Sequence, residues 1–392
     1  MKPFIRPLLT AAALVPLLGC LDTSSSGGGY VDTATSVAVT DLDTNGRQDV
    51  LTTFARSYDD GSFQGFVSSR LGQGTSPSID FASPLRSNGG QAPGPMILTH
   101  LDGDSLPDLV LCDAASPTIT LLYESATTAG SFGGKVDLAL GANRYAYGAA
   151  VADFNGDGQP DIAVAASGGT DLLIFFQNAS GGFTGVTPVS LPLGATPYCV
   201  AAAPLSGGFQ DLAVGLSTGQ LAVLKGNGDG TFQAAVSYAC GTAPSAIKVG
   251  DLDGVNGPDL AVTDYGAASS VIVFLNNGTG AFAAGVAYAT GDADAQDVAI
   301  GDLDGDGKPD LAVANAGLPG DPGSLSVLFN NGSGAFGAAT VLPGLYGPLS
   351  VAIADVDGDG LNDLVSADGT GVVRLQSSVS PGTFKAPVGL YY

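Results

Sequence analysis

The stretch Asp302-Leu303-Asp304-Gly305-Asp306-Gly307-Lys308-Pro309-Asp310 sets how the rest of the chain is read. Its carboxylates stand at positions 1, 3 and 5, glycines at 4 and 6 let the backbone turn tightly, and a last aspartate closes the run at position 9. Four hard anionic side chains and the backbone carbonyl of Lys308 at position 7 form the donor set of a cation that takes six to eight oxygens. Calcium fits that set best.

The run recurs along the chain. Aligned on their ninth position, the copies end at Asp49, Asp108, Asp161, Asp211, Asp259, Asp310 and Asp363, with spacings of 59, 53, 50, 48, 51 and 53 residues. A period near 50 without helical patterning is that of a propeller in which each repeat folds as a four-stranded blade. A short apolar strand A leads into the loop, strand B leaves it, strand C follows, and an Asn/Gly turn at 330–334 leads to strand D near Phe336. The expectation is an all-β, seven-bladed β-propeller with calcium loops between strands A and B of most blades. The Val, Ala and Leu runs of A and B predict burial on both faces.

The copies are not equal as metal sites. Asp302, Asp304, Asp306, Lys308 and Asp310 form a complete set, as do Asp355, Asp357, Asp359, Leu361 and Asp363. An Asn amide oxygen replaces one carboxylate among Asp153, Asn155, Asp157, Gln159 and Asp161, and again among Asp41, Asp43, Asn45, Arg47 and Asp49. The fifth copy keeps Asp251, Asp253 and Asp259 but has Val255 at position 5. The second keeps Asp102, Asp104 and Asp108 but opens with His100, a poor partner for calcium. The fourth, from Ala203 to Asp211, has lost its other oxygens and is expected to be metal-free. About four to six structural calcium sites follow.

Composition limits what the protein does. Net charge is -24, and the loops hold more than half of the 37 acidic residues, so bound cations would cancel much of it. Thirteen Lys and Arg without a basic run exclude nucleic acid as a natural partner. Cys112, Cys199 and Cys240 show no metal spacing and read as small core residues, with a Cys199–Cys240 disulfide left open.

The first residues read as an export signal. Lys2 and Arg6 precede an apolar stretch from Leu8 to Leu18 that is too short to span a bilayer. Leu17-Leu18-Gly19-Cys20 then resembles the bacterial lipobox, with residues 1–19 removed and lipid placed on Cys20; an ordinary signal peptide is the alternative. Residues 20–35, including a run of serines and glycines, are read as a tether and 36–392 as the propeller. The protein is thus expected to be exported and lipid-anchored in a bacterial cell envelope.

The recurring Val-Ala-x-x-Asp-Leu-Asp-Gly-Asp-Gly-x-Pro-Asp-Leu-Ala-Val pattern, followed by an apolar strand ending in Asn-Gly, resembles the FG-GAP/VCBS repeat family from about Ser36 to Tyr392. The resemblance implies a propeller similar to the head of integrin α subunits, with calcium in the A–B loops. It does not fix a function, since such propellers serve adhesins, lectins and enzymes.

No catalytic set stands out: there is no phosphate loop or zinc spacing, and His100, the one histidine, sits at a position the repeat defines. Asp59, Asp60, Glu124, Asp292, Asp294 and Asp321 lie outside the loops, but nothing arranges them. Topology places loops B–C and D–A on the face opposite the metal loops. Tyr58, Arg144, Tyr145, Tyr147, Tyr198, Tyr265 and Tyr346 gather there, beside Arg56, as candidates for a ligand face. The expected role is noncatalytic adhesion to, or binding of, a protein or glycan at the cell surface. A polysaccharide-active or lectin-like propeller is the alternative.

Overall fold

A computed structural model describes residues 30–73, 80–179, 181–266, 269–318, 321–369, 373–376 and 378–390. The expected leader, residues 1–19, and Cys20 lie outside them. The described chain is an all-β propeller, and no helix in it is long and apolar enough to cross a membrane.

Seven four-stranded antiparallel sheets follow one another, each built from one repeat. We number them 1 to 7 and call their strands A to D from the inside out. Sheet 5 is typical, with A at Pro244–Gly250, B at Asp259–Asp264, C at Ser270–Phe274 and D at Val286–Ala289. In every sheet the ninth-position aspartate begins strand B, so the acidic run is the A–B turn. Positive φ is what fixes the glycines there: Gly305 and Gly307 sit at 77° and 80°, where a side chain would be strained.

The core lies in slabs between adjacent sheets rather than at the centre. Leu252, Val271 and Val273 of sheet 5 pack with Val298, Leu311 and Val313 of sheet 6, and every other neighbouring pair has its own cluster. Strands B are buried along their whole length in sheets 2 to 7, which accounts for their unbroken apolar sequences. Strands A are only part-buried, because they line an axial cavity.

The ring closes without sharing a strand. Sheet 1 uses only N-terminal strands, and Val388–Leu390 completes sheet 7. Val37, Val50 and Phe54 meet Val356, Val365 and Leu375 at this seam, and the Val37 N–H donates to Ser350 Oγ at 3.3 Å.

Three sequence expectations need correction. Strand A of sheet 1 runs Tyr30–Thr40, so the propeller starts inside the stretch read as tether. The extra residues pair with the end of strand B, Tyr30 opposite Tyr58, and lengthen this sheet beyond the others. Strand D of sheet 6 starts at Thr340, while Phe336 forms only an isolated bridge to Asn330. The fourth loop is one residue shorter than the rest, since Ala203 itself pairs with Asp211.

Candidate functional site

The A–B loops are held by their own side chains. In sheet 6 the two oxygens of Asp302 accept the N–H groups of Gly305 and Gly307 at 2.7 and 2.9 Å, and Asp304 accepts that of Asp306 at 3.1 Å. Asp306 accepts the Lys308 N–H at 2.9 Å, and the Lys308 ammonium pairs with its other oxygen at 2.6 Å. Gln159, Leu361 and Arg47 repeat the backbone contact with Asp157, Asp359 and Asn45.

Four loops converge carboxylates tightly enough for one ion. Oxygens of Asp41, Asp43 and Asp49 lie within 4.8 Å of one another, as do those of Asp251, Asp253 and Asp259, of Asp302, Asp304 and Asp306, and of Asp355, Asp357 and Asp359. Loop 5 converges although Val255 has replaced a ligand. The all-oxygen donor sets fit a hard divalent cation such as calcium. Loop 3 keeps Asp153, Asn155 and Asp157 in its turn, with the Asn155 amide donating to Asp157 at 3.1 Å. In loop 2 the His100 ring nitrogen Nδ1 is spent on the Leu106 carbonyl at 2.8 Å, beside Asp102 and Asp104.

The ninth-position aspartates have a second role, which the sequence reading assigns only to Asp211 and only as a turn or cap. Asp310 accepts the N–H groups of Leu303 and Asn330, both at 2.8 Å, and so ties its own loop to the end of strand C. Asp49, Asp108, Asp161 and Asp259 do the same. Asp363 accepts from Val356 at 2.9 Å. Asp211 makes the equivalent pair in the loop that lost its other oxygens, with Ser206 and Gly226 at 2.6 and 2.8 Å. This bracket therefore works without a metal. Burial pushes Asp49 and Asp161 up to about 6, against the backbone hydrogen bonds that favour the charged form.

On the opposite face three of the named tyrosines come together. The rings of Tyr147 and Tyr198 meet edge to face at 5.7 Å, and Tyr265 is pushed up to about 12 by burial together with Tyr198, Asp294 and Tyr147 beside it. The others stand apart. Tyr58 packs on Tyr30 and donates to Gln64 at 2.8 Å, next to Arg56, which forms a two-pronged pair with Asp32. Arg144 is paired with Asp171 at 2.8 Å, the Tyr145 carbonyl takes the Ser167 N–H, and Tyr346 is 56% exposed at the start of sheet 7.

Behind this face lies a cavity of about 200 Å³, lined by strands A of all seven sheets. It contains a cation and an anion that sequence reading passed over, Lys248 and Asp297. The signal was present in the repeat. The residues paired with the second residue after each ninth-position aspartate are Ala38, Ile97, Ala150, Ala201, Lys248, Ala299 and Ala352, so a single lysine interrupts an aliphatic series.

With this geometry in place, the comparisons with known proteins fall into order. The FG-GAP-like repeat profile matches residues 100–164, 153–207, 256–313 and 302–366, more than half of the chain. The chain belongs to the FG-GAP-like repeat family. No curated protein sequence matches this FG-GAP propeller. Among solved structures, the BP39L lectin from Burkholderia pseudomallei superposes with a TM-score of 0.66 at 18% identity, covering 92% of this chain and 100% of the lectin. The Pseudomonas aeruginosa periplasmic gluconolactonase gives 0.57 at 14% identity, covering 78% and 84%. The exotype rhamnogalacturonan lyase YesX gives 0.53 at 13%, covering 92% and 76%. At these identities the likeness shows the fold alone.

Proposed function

We propose that this FG-GAP propeller is a noncatalytic, calcium-stabilised binding protein of a bacterial cell surface. It engages a protein or glycan through the face opposite its metal loops. The observation that carries the reading is the gathering of Tyr147, Tyr198 and Tyr265 on that face, with Tyr147 at the wall of the axial cavity. Aromatic rings with a polar edge give contact area at low entropic cost and suit recognition surfaces. The lectin among its structural neighbours is in keeping with a glycan ligand. Calcium, held by the converging carboxylates, staples strands A and B and supplies no chemistry to the opposite face.

Lipid on Cys20 holds the protein at the membrane. Nine residues lie between Cys20 and Tyr30, so the reach over ten backbone steps is at most about 35 Å. Strand A of sheet 1 enters from the tyrosine face, so the tether leaves the propeller on that side. The alternative is an enzyme acting on polysaccharide, which the lyase and lactonase folds and the charged pair in the cavity favour.

The test is binding of the purified chain, in millimolar calcium, to bacterial envelope fractions and a glycan array. The variant Tyr147→Ser/Tyr265→Ser is compared with wild type. Loss of binding with an unchanged melting temperature supports the ligand face. Undiminished binding places recognition elsewhere.

A further inference from the structure

The Lys248–Asp297 pair stands where the fold does not ask for charge. At the lysine's position the other six sheets carry Ala or Ile, and at the aspartate's position the regularly paired strands carry Ser36, Gly148, Cys199 and Ser350. All these strands build the same ring, so neither charge is needed to form it. A charged pair facing a cavity is a weak source of stability compared with aliphatic residues.

The two partners are not equally committed. Asp297 is tied to its own neighbours: one oxygen accepts the Val298 N–H at 2.9 Å, and the other accepts the Ser350 hydroxyl at 2.9 Å and the Val351 N–H at 3.3 Å. Lys248 Nζ lies 3.7 Å from Asp297, beyond hydrogen-bond distance, and its side chain is 48% exposed. Its three donors and its charge therefore face the cavity. Across the ring, Ser36 Oγ accepts the Met96 N–H at 3.3 Å and retains a proton to donate. Val37, Met96, Ile97, Ile247 and Val351 supply apolar wall. The volume, about 200 Å³, is below the roughly 300–1,000 Å³ of drug-sized sites and suits one ring rather than a chain.

We propose that Lys248, positioned by Asp297, makes the axial cavity a pocket for a small organic carboxylate about one sugar ring in size. This deepens the binding reading given above and rests on its assignment of the tyrosine face. Asp297 holds the ammonium in place and accepts nothing from the ligand. Lys248 then pairs with the carboxylate, and Ser36 donates to it or to a ring hydroxyl from the far wall.

The experiment is calorimetric titration of the full chain, in millimolar calcium, with D-galacturonate and with D-galactose, the same ring without the charge. Saturable binding of galacturonate, at least about tenfold weaker binding of galactose, and loss of about tenfold or more in Lys248→Met are expected. A melting temperature and calcium response like those of wild type show that the Lys248→Met ring is intact. The inference is overturned if galacturonate does not bind, if galactose binds equally well, or if Lys248→Met binds as wild type does. Envelope binding that survives alongside any of those results leaves the face reading standing and removes only the carboxylate pocket.

Discussion

The side-chain amide of Asn330 donates to the carbonyl of Leu252 at 2.7 Å, joining the end of strand C in sheet 6 to the A–B loop of sheet 5. Asn276 reaches Leu205 in the same way at 2.8 Å, and Gln177 reaches Leu101 at 2.6 Å. Loops 2, 4 and 5 are thus held by the next sheet as well as by their own strands. Removing one such buried donor leaves a carbonyl unpaired, so Asn330→Leu is expected to cost about 1–3 kcal/mol in chemical denaturation. An unchanged midpoint would show that the staple contributes nothing.

Sheet 2 has Glu124 at this place. One of its oxygens accepts the Gly130 N–H at 2.6 Å, while the other is buried without a partner. Glu124→Gln supplies the donor that Gln177 provides in sheet 3, and it also removes a negative charge near Asp108, Asp104 and Asp49. The variant is expected to gain about 1 kcal/mol. A loss of stability would mean that the new amide finds no acceptor there.

Calcium dependence separates ligands from brackets. Thermal unfolding in EDTA and in millimolar calcium should differ clearly, by about 2.7 kcal/mol for each loop held at a hundredfold excess over its dissociation constant. Asp304→Ala should reduce that difference. Asp211→Ala should lower the melting temperature in both conditions and leave the difference intact, because its loop is a bracket without ligands.

The pH response of the metal-free protein follows from Asp49 and Asp161. Their folded values of about 6 lie above the unfolded carboxylate value, so folding favours the protonated form. That contribution is fully present below about pH 4 and is lost as pH rises through about 6. In EDTA the melting temperature should therefore be higher at pH 5 than at pH 7.5. A divalent cation takes carboxylates in their deprotonated form, so saturating calcium should shrink or reverse the difference. An EDTA melting temperature that rises with pH would contradict the assignment.

Cys112, Cys199 and Cys240 are buried free thiols, which settles the disulfide left open by the sequence. Burial pushes Cys112 and Cys240 up to about 12 and Cys199 higher still. None should react with a disulfide reagent at pH 8 until denaturant is added, and all three should then react. Reaction in the native state would show that the ring opens.

What the sequence determined by itself is whatever repeats within a short segment: the Asp/Gly spacing, the Asn/Gly turns and the period near 50 residues. Those signals are local, since a turn's ligands and its positive-φ glycines lie within nine residues, and from them the propeller and the converging loops 1, 6 and 7 could be read, whereas loop 5, with Val255 in place of a ligand, ranks below loop 3 by sequence. The pairings that cross between sheets were decided only in the folded ring. Lys248 and Asp297 are 49 residues apart and meet because successive strands A stand side by side around one axis. Asn330 and Leu252 are 78 apart, and Val37 and Ser350 are 313 apart across the seam. The sequence separated Tyr147, Tyr198 and Tyr265 into three repeats, and only the packing of successive sheets brought them together.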